Sequence, residues 1–391
     1  MKRIRTSRTS AALLAGALAL TLAACSSETA PETSPSGDNT ETPAGETTPD
    51  ETQEPEAPAL ELSGELPGAG ASSQEKAVQG WIAGFNDSHP NVLVSYDPGG
   101  SGAGREQFIA AGTLFAGSDS ALKPEEVEAA TARCFGAEPL QLPLYISPIA
   151  IVVNLPEFGG DHINLSGETV AKIYQGEITN WNDAEIAAHN DGVALPDQAI
   201  IPVHRSDKSG TTGNFTDWLN KASNGAWPHE KNDEWPLTGG QSGAQTQGVI
   251  DTVSGAVGAI GYVDASRAGD LTTVAIQVGD DYVPFSAEGA AKTLDVSPRS
   301  ADATDKQLVI SLDRATTEEG AYPLVLVAYS IACSAYDNQS DVDNVREYFT
   351  YVASAEGQAR AADPTVAGSA PISDALRAEI QALLDDIQVA S

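Results

Sequence analysis

Basic residues are scarce in this chain. Across 391 residues, 21 lysines and arginines face 55 aspartates and glutamates, for a formal net charge of −34 at pH 7. Such a surface argues against nucleic acid or an anionic membrane as a charge-driven partner. It also means that no long-range field draws an anion in, so any anion site must be built locally. The five histidines are scattered, and the three cysteines make neither a Cys-x-x-Cys pair nor a zinc pattern, so no metal or cofactor is expected. A Gly-x-Ser-x-Gly elbow is missing, and Lys208-Ser209 lacks the leading glycines of a P-loop. A phosphate-ester hydrolase needs a nucleophile activated by a base or by two metals. The chain is therefore not expected to be an enzyme, although a hydrolase stays as a remote alternative.

What is present begins with an address. Lys2, Arg3, Arg5 and Arg8 precede an apolar run, Ala11 to Ala24, that is too short to span a bilayer comfortably. The run ends in Leu22-Ala23-Ala24-Cys25, which looks like a bacterial lipobox. Residues 1–25 are then a lipoprotein signal peptide. Cys25 would carry palmitate-type lipid and anchor the protein on the extracytoplasmic face of the cell membrane. A plain secretory signal with an incidental cysteine is the alternative. Residues 26–65 are rich in Thr, Pro, Glu and Ser and hold no Lys or Arg. They cannot bury a core and predict a disordered acidic tether, with a coil span of roughly 35 Å. The remaining length suits two lobes better than one core. It contains Cys134 and Cys333, an even pair that favours a disulfide in an exported protein, with two buried free thiols as the alternative.

Val78, Trp81, Ile82 and Phe85 recur at helical spacing, which predicts a helix from Ser72 to about Asn86 with Ser72 as its N-cap. Strands are expected at Val92–Tyr96 and Leu114–Ser118, and helices at about Arg105–Ala111 and Pro124–Ala132. The alternation argues for an α/β fold with a largely parallel sheet. The run Ile146–Leu155 has no helical period and reads as a strand leaving the first lobe. Tyr322–Ile331 reads as the strand that returns. Two crossings make a hinge, with lobe I at 66–148 and 325–391 and lobe II at 149–324.

The richest stretch is Ile201-Pro202-Val203-His204-Arg205-Ser206-Asp207-Lys208-Ser209-Gly210-Thr211. A strand delivers Arg205, and a small, hydroxyl-rich turn then opens a helix. Ala71-Ser72-Ser73 and Ser101-Gly102 repeat that pattern. A helix start has unbonded N–H groups and the positive end of the dipole, which together hold anions. Arg205 adds a planar fork suited to a tetrahedral oxyanion. Asp119 ends the buried run Phe115-Ala116-Gly117-Ser118-Asp119. A carboxylate among donors fits an anion that brings its own proton, as phosphate does and sulfate does not. Taken singly, each turn is an N-cap, Asp119 a surface acid, and Arg205 the ion-pair partner of Asp207. Together they read as one oxyanion site. His204 reads as a strand-end residue facing its own lobe.

These motifs, with Gly68-Ala69-Gly70-Ala71-Ser72, Gly100-Ser101-Gly102-Ala103-Gly104, Ile178-Thr179-Asn180-Trp181-Asn182-Asp183 and Gly258-Ala259-Ile260-Gly261-Tyr262, follow one order along the chain. From about Gly68 onward the sequence resembles the high-affinity phosphate-binding proteins of bacterial ABC transporters. The lipobox, acidic tail and Ala222-Ser223-Asn224-Gly225-Ala226-Trp227 look most like actinobacterial members. The resemblance implies a type II periplasmic-binding-protein fold, two α/β lobes closing over inorganic phosphate, and delivery by a monomer to permease subunits in the membrane. It also implies phosphate contacts from Ser72, Ser73, Ser101, Asp119, Arg205, Ser209, Gly210 and Thr211, with Asp207 steadying Arg205. Two departures stand out. Ser72-Ser73 replaces a frequent Thr-Phe, and Leu114 stands where an acid is common. Arsenate, sulfate or molybdate are alternative ligands, and Asp119 disfavours the last two.

Overall fold

Residues 61–158 and 162–391 are described by the structure, a computed structural model. The expected signal peptide, Cys25 and the tether up to residue 60 lie outside the described residues. The first α/β run comprises β1 (Gly64–Gly70), α1 (Glu75–Ser88), β2 (Val92–Asp97), α2 (Ser101–Ile109), β3 (Phe115–Ser118) and α3 (Pro124–Arg133). A long strand, β4 (Pro139–Val153), leads to the second run. There follow β5 (His162–Leu165), α4 (Gly167–Gln175), α5 (Ala184–His189), β6 (Ile201–Arg205), α6 (Gly210–Ala222), β7 (Gln241–Gly243) and α7 (Gln245–Ser254). The run closes with β8 (Ala259–Asp264), β9 (Thr272–Val278), β10 (Asp281–Val283) and α8 (Ala287–Asp295). After an irregular stretch come β11 (Val325–Cys333), α9 (Gln339–Ala353), α10 (Ala355–Ala362) and α11 (Asp374–Asp385).

The main sheet path runs β2-β1-β3-β11-β4-β8-β6-β7. Strand β4 is its spine. It pairs antiparallel with β11 from Pro139 to Pro148, then antiparallel with β8 from Ile149 to Val153. Every residue of β4 is buried, as expected of a strand covered on both faces. Pro148 sits where the partner changes, a place where a missing N–H is tolerated. The outer pairs β1·β2, β1·β3, β6·β8 and β6·β7 are parallel. Pairing at the centre (β3·β11, β11·β4, β4·β8) is antiparallel. The sheet is thus mixed rather than largely parallel, because β4 carries the chain out and β11 brings it back in the opposite sense.

Several boundaries differ from the sequence reading. Strand β1 already starts at Gly64, and Leu62 is buried, so ordered chain begins before residue 66. Helix α1 starts at Glu75 with Gln74 at the cap position. Ser72 is not its N-cap, because its hydroxyl is engaged by Thr246. Helix α2 starts at Ser101, ahead of the expected Arg105. Strands β5, β7, β9 and β10 and helices α8 and α10 were not anticipated. Cys134, just past α3, and Cys333, ending β11, form a disulfide with Cα atoms 5.3 Å apart.

Aromatic packing fixes the second half of the sheet to the site. Phe215 of α6 stacks on Tyr262 of β8 at 4.1 Å between centroids. The Tyr262 hydroxyl bonds Thr212 Oγ1 at 2.7 Å and accepts the Arg205 N–H at 3.3 Å. Core packing therefore sets where β6 ends and α6 begins.

Candidate functional site

Three strand ends and three helix starts meet at one place. Strand β1 ends at Gly70, whose φ is +150° and where a Cβ would lie 2.0 Å from the Gly117 carbonyl oxygen. Only glycine fits so close a backbone approach. The chain then turns through Ser72 and Ser73 into α1. Helix α2 opens at Ser101 against the end of β3, where Ser101 Oγ accepts the Asp119 N–H at 3.2 Å. Helix α6 opens at Gly210, with the Ser209 hydroxyl capping it by accepting the Thr212 N–H at 3.3 Å. A Cβ on Gly210 would stand 2.7 Å from both Asp119 Cβ and Ser101 Oγ, so the two helix starts and the acid pack with no room for a side chain. First-turn N–H groups of α2 and α6 have no intrahelical acceptor.

Asp119 is the centre of this cluster. Ser73 Oγ donates to its Oδ1 at 2.7 Å, and Thr211 Oγ1 donates to its Oδ2 at 2.9 Å. Its backbone carbonyl accepts from Asn214 Nδ2 at 2.8 Å. Burial pushes its carboxyl above the ordinary range. The Ser73 and Thr211 bonds and the Arg205 charge oppose that push, and Asp233 adds to it. Each carboxylate oxygen keeps a lone pair beyond its one hydroxyl bond, so the group remains an acceptor.

Arg205 is 3% exposed. It gives Nε to Asp207 Oδ1 at 2.8 Å and Nη2 to Oδ2 at 2.5 Å, and Nη1 makes no hydrogen bond to the described residues. The Gln245 N–H donates to Asp207 Oδ1 at 2.9 Å. Burial alone would raise the Asp207 carboxyl, but the Arg205 pair outweighs it and holds the group below its usual range. Asp207 thus fixes the guanidinium plane, as its place in the sequence suggests.

The structure brings Ser73, Ser101, Asp119, Gly210 and Thr211 into direct contact. Ser72 stands beside them but hands its hydroxyl to the start of α7. There it accepts the Thr246 N–H at 3.0 Å and pairs with Thr246 Oγ1 at 3.0 Å. The Ser209 backbone N–H is taken by the Asp233 carbonyl at 2.8 Å, so only its hydroxyl hydrogen remains to donate. His204 stacks on Trp235 at 5.1 Å, within its own half of the sheet as expected. Thr246, Asn214, Arg105 and Asp233 were not singled out. Gly243-Ala244-Gln245-Thr246 does open a helix with small and polar residues, which is a weak signal for Thr246. Asn214 and Arg105 each lie one turn into a helix whose opening was read, α6 and α2, and only Asp233 reaches the cluster purely through tertiary packing. Ser72, Ser73, Ser101, Asp119, Arg205, Ser209 and Thr211 are all at most 3% exposed, so the donors are shielded from water.

Such an arrangement suits a small oxyanion held by dipoles, one cation and one acceptor. The hydroxyls of Ser73 and Thr211 donate to a carboxylate, and Ser101 Oγ accepts a backbone N–H. Among the described residues no group of three or more His, Cys, Asp or Glu side chains could hold a metal ion. Also among them, no helix is long and apolar enough to cross a membrane.

Comparison with known proteins adds the following. A family profile described as the PBP superfamily domain matches residues 39–356. The chain is 35% identical over 290 residues to phosphate-binding protein PstS2 of Mycobacterium bovis BCG, covering 73% of this chain and 78% of that one. It is 36% identical over 275 residues to phosphate-binding protein PstS 3 of Mycobacterium leprae, covering 69% and 74%. Among solved structures it resembles a high-affinity periplasmic phosphate-binding protein bound with phosphate, at TM-score 0.65 and 21% identity over 81% of this chain and 93% of the other. The phosphate-binding protein from Stenotrophomonas maltophilia superposes at TM-score 0.60 and 20% identity, over 82% and 94%. At those identities the structures speak to the fold alone, an α/β periplasmic-binding-protein architecture.

Proposed function

Since the chain belongs to the PstS family of phosphate-binding proteins, within the PBP superfamily, we propose that it captures inorganic phosphate outside the cytoplasm and delivers it to an ABC transporter permease for import. One observation carries the reading. A buried carboxylate, Asp119, stands among helix-start donors and beside Arg205, with each oxygen on one hydroxyl. An acceptor in an anion site repels any ligand without a proton, and HPO₄²⁻ or H₂PO₄⁻ has one to give.

In this reading phosphate takes the N–H groups of Ser73, Ser101, Gly210 and Thr211, the hydroxyls of Ser101 and Ser209, and Nη1 of Arg205. The Ser72 hydroxyl, which already accepts the Thr246 N–H, has only its hydrogen left to give. Asp119 accepts the ligand's proton. Lobe I runs from the start of β1 near Gly64 to 148 and includes 325–391, and lobe II is 149–324. The hinge lies where β4 exchanges β11 for β8 at Pro148–Ile149 and where the chain re-enters β11. The protein acts as a monomer, held at the membrane by lipid on Cys25, and needs no cofactor. Protonated arsenate shares the required geometry and is the expected competitor.

Equilibrium dialysis of the purified protein against radiolabelled phosphate tests the proposal. Saturable binding of one phosphate per chain is expected. No retention of phosphate by a folded sample would sink it.

A further inference from the structure

Asp233 lies in the lobe II loop that follows α6, yet its side chain is held entirely by lobe I. Its Oδ2 accepts from Arg105 Nη2 at 2.9 Å, and its Oδ1 accepts from Ser120 Oγ at 2.7 Å. The pair is buried, with side-chain exposures of 0% for Arg105 and 6% for Asp233. Room for the carboxylate is made by Gly213, where a Cβ would stand 2.3 Å from Asp233 Oδ1. The other ion pairs between the lobes among the described residues, Arg267–Glu75, Lys208–Glu106, Lys208–Glu126 and Arg299–Glu379, are all more exposed than this one, which makes each a weak tie.

Arg105 does not depend on Asp233 for its place. Its Nε bonds Glu126 of α3 at 3.1 Å, and its Nη1 bonds Ser118 of β3 at 2.8 Å. Lobe I therefore orients the guanidinium by itself, and of the Arg105 side-chain bonds only the one to Asp233 crosses to lobe II. Both ends of the bridge touch the anion frame without entering it. Arg105 is one turn along α2 from Ser101, and the Asp233 carbonyl accepts the Ser209 N–H at 2.8 Å.

Resting on the phosphate-binding reading above, we infer that Asp233 is a positioning residue that locks Arg105 on closure and so retains phosphate without touching it. An interaction present only in the closed state shifts the open–closed equilibrium by its own free energy, and the apparent affinity follows. Because the lock must break before phosphate leaves, its effect falls on release rather than capture.

The test compares wild type, Asp233→Asn and Ser120→Ala. It measures phosphate affinity by calorimetry, release by stopped flow, and Tm without phosphate. Asp233→Asn is expected to weaken binding by about tenfold or more, with the loss in the release rate, on the scale of a charge-assisted hydrogen bond. Ser120→Ala, which removes one hydrogen bond to the same carboxylate and leaves the ion pair in place, is expected to weaken it about threefold or more. Phosphate-free Tm stays unchanged in both. Wild-type affinity in both variants overturns the lock while leaving phosphate binding intact. A fall in phosphate-free Tm in both variants overturns it too, since the bridge would then be a folding contact. A wild type that binds no phosphate removes the functional reading and this inference with it.

Discussion

Asp119 has each carboxylate oxygen on one hydroxyl, Ser73 on Oδ1 and Thr211 on Oδ2, and faces the anion frame as an acceptor. Replacing it with asparagine adds a donor without changing shape. Asp119→Asn is expected to cut the phosphate-over-sulfate preference by about 1–3 kcal/mol, the scale of a buried polar mismatch. Competition calorimetry reads the change, and an unaltered preference would contradict the proton-acceptor role. Arg205 shares its charge with Asp207, and dipoles surround the same anion. Arg205→Ala should therefore weaken phosphate binding by only about 1.5–3 kcal/mol, the worth of one charge-assisted hydrogen bond. Abolished binding in a folded variant would instead make Arg205 dominant. A third residue acts on stability rather than on ligand. Asp264 is fully buried beneath Tyr145, whose hydroxyl donates to it at 3.1 Å, and burial lifts its carboxyl to about 6. The unfolded value is near 3.9, so between the two the folded state holds the extra proton. Stability from this group falls as pH rises through that window, and the cost is complete above about pH 6. Urea unfolding of wild type and Asp264→Asn at about pH 4 and pH 7.5 should show the variant gaining roughly 1–3 kcal/mol on wild type at the higher pH. Parallel pH profiles would contradict the burial cause.

Among the elements, the helix starts matter most, and they were legible only in part: the small-residue turns stood out, but α1 was expected from Ser72 and α2 from Arg105. Ser101-Gly102 and Ser209-Gly210-Thr211 carry their meaning locally, because a small residue opening a helix is a property of consecutive positions. Ser72 misled for the same reason: it has the composition of an N-cap, but its hydroxyl is drawn to Thr246, which is 174 positions away. Strand β1 was missed because Gly64-Glu65-Leu66-Pro67-Gly68-Ala69-Gly70 has low intrinsic strand preference, and only pairing with β2 and β3 makes it a strand. The Arg105–Asp233 bridge left no local trace, because its two residues meet only in the folded protein. Cysteine pairing was legible as a preference, and its geometry explains its use. Cys134 follows α3 and Cys333 ends β11, so in the two-lobe reading the bond staples lobe I to itself. Replacing both with serine should cost about 2–4 kcal/mol of unfolding free energy and leave phosphate affinity within twofold of wild type, about 0.4 kcal/mol. Denaturant titration and calorimetry of the same variant check both halves. A large affinity loss would show that the disulfide restrains the hinge.

At the scale of the whole molecule, a chain with net charge −34 binds an anion by local design. Helix dipoles and one arginine act at short range in a shielded site, where water does not screen them. In the two-lobe reading, the two α/β units joined through β4 and β11 would supply that shielding by meeting over the site. The central claim is that the site selects an oxyanion carrying a proton. Calorimetry of the wild-type protein against phosphate, arsenate, sulfate and molybdate at pH 7.5 tests it most directly. Phosphate and arsenate should bind one per chain, and sulfate and molybdate should give no measurable heat at concentrations that saturate with phosphate. Sulfate binding with an affinity comparable to that of phosphate would contradict the account.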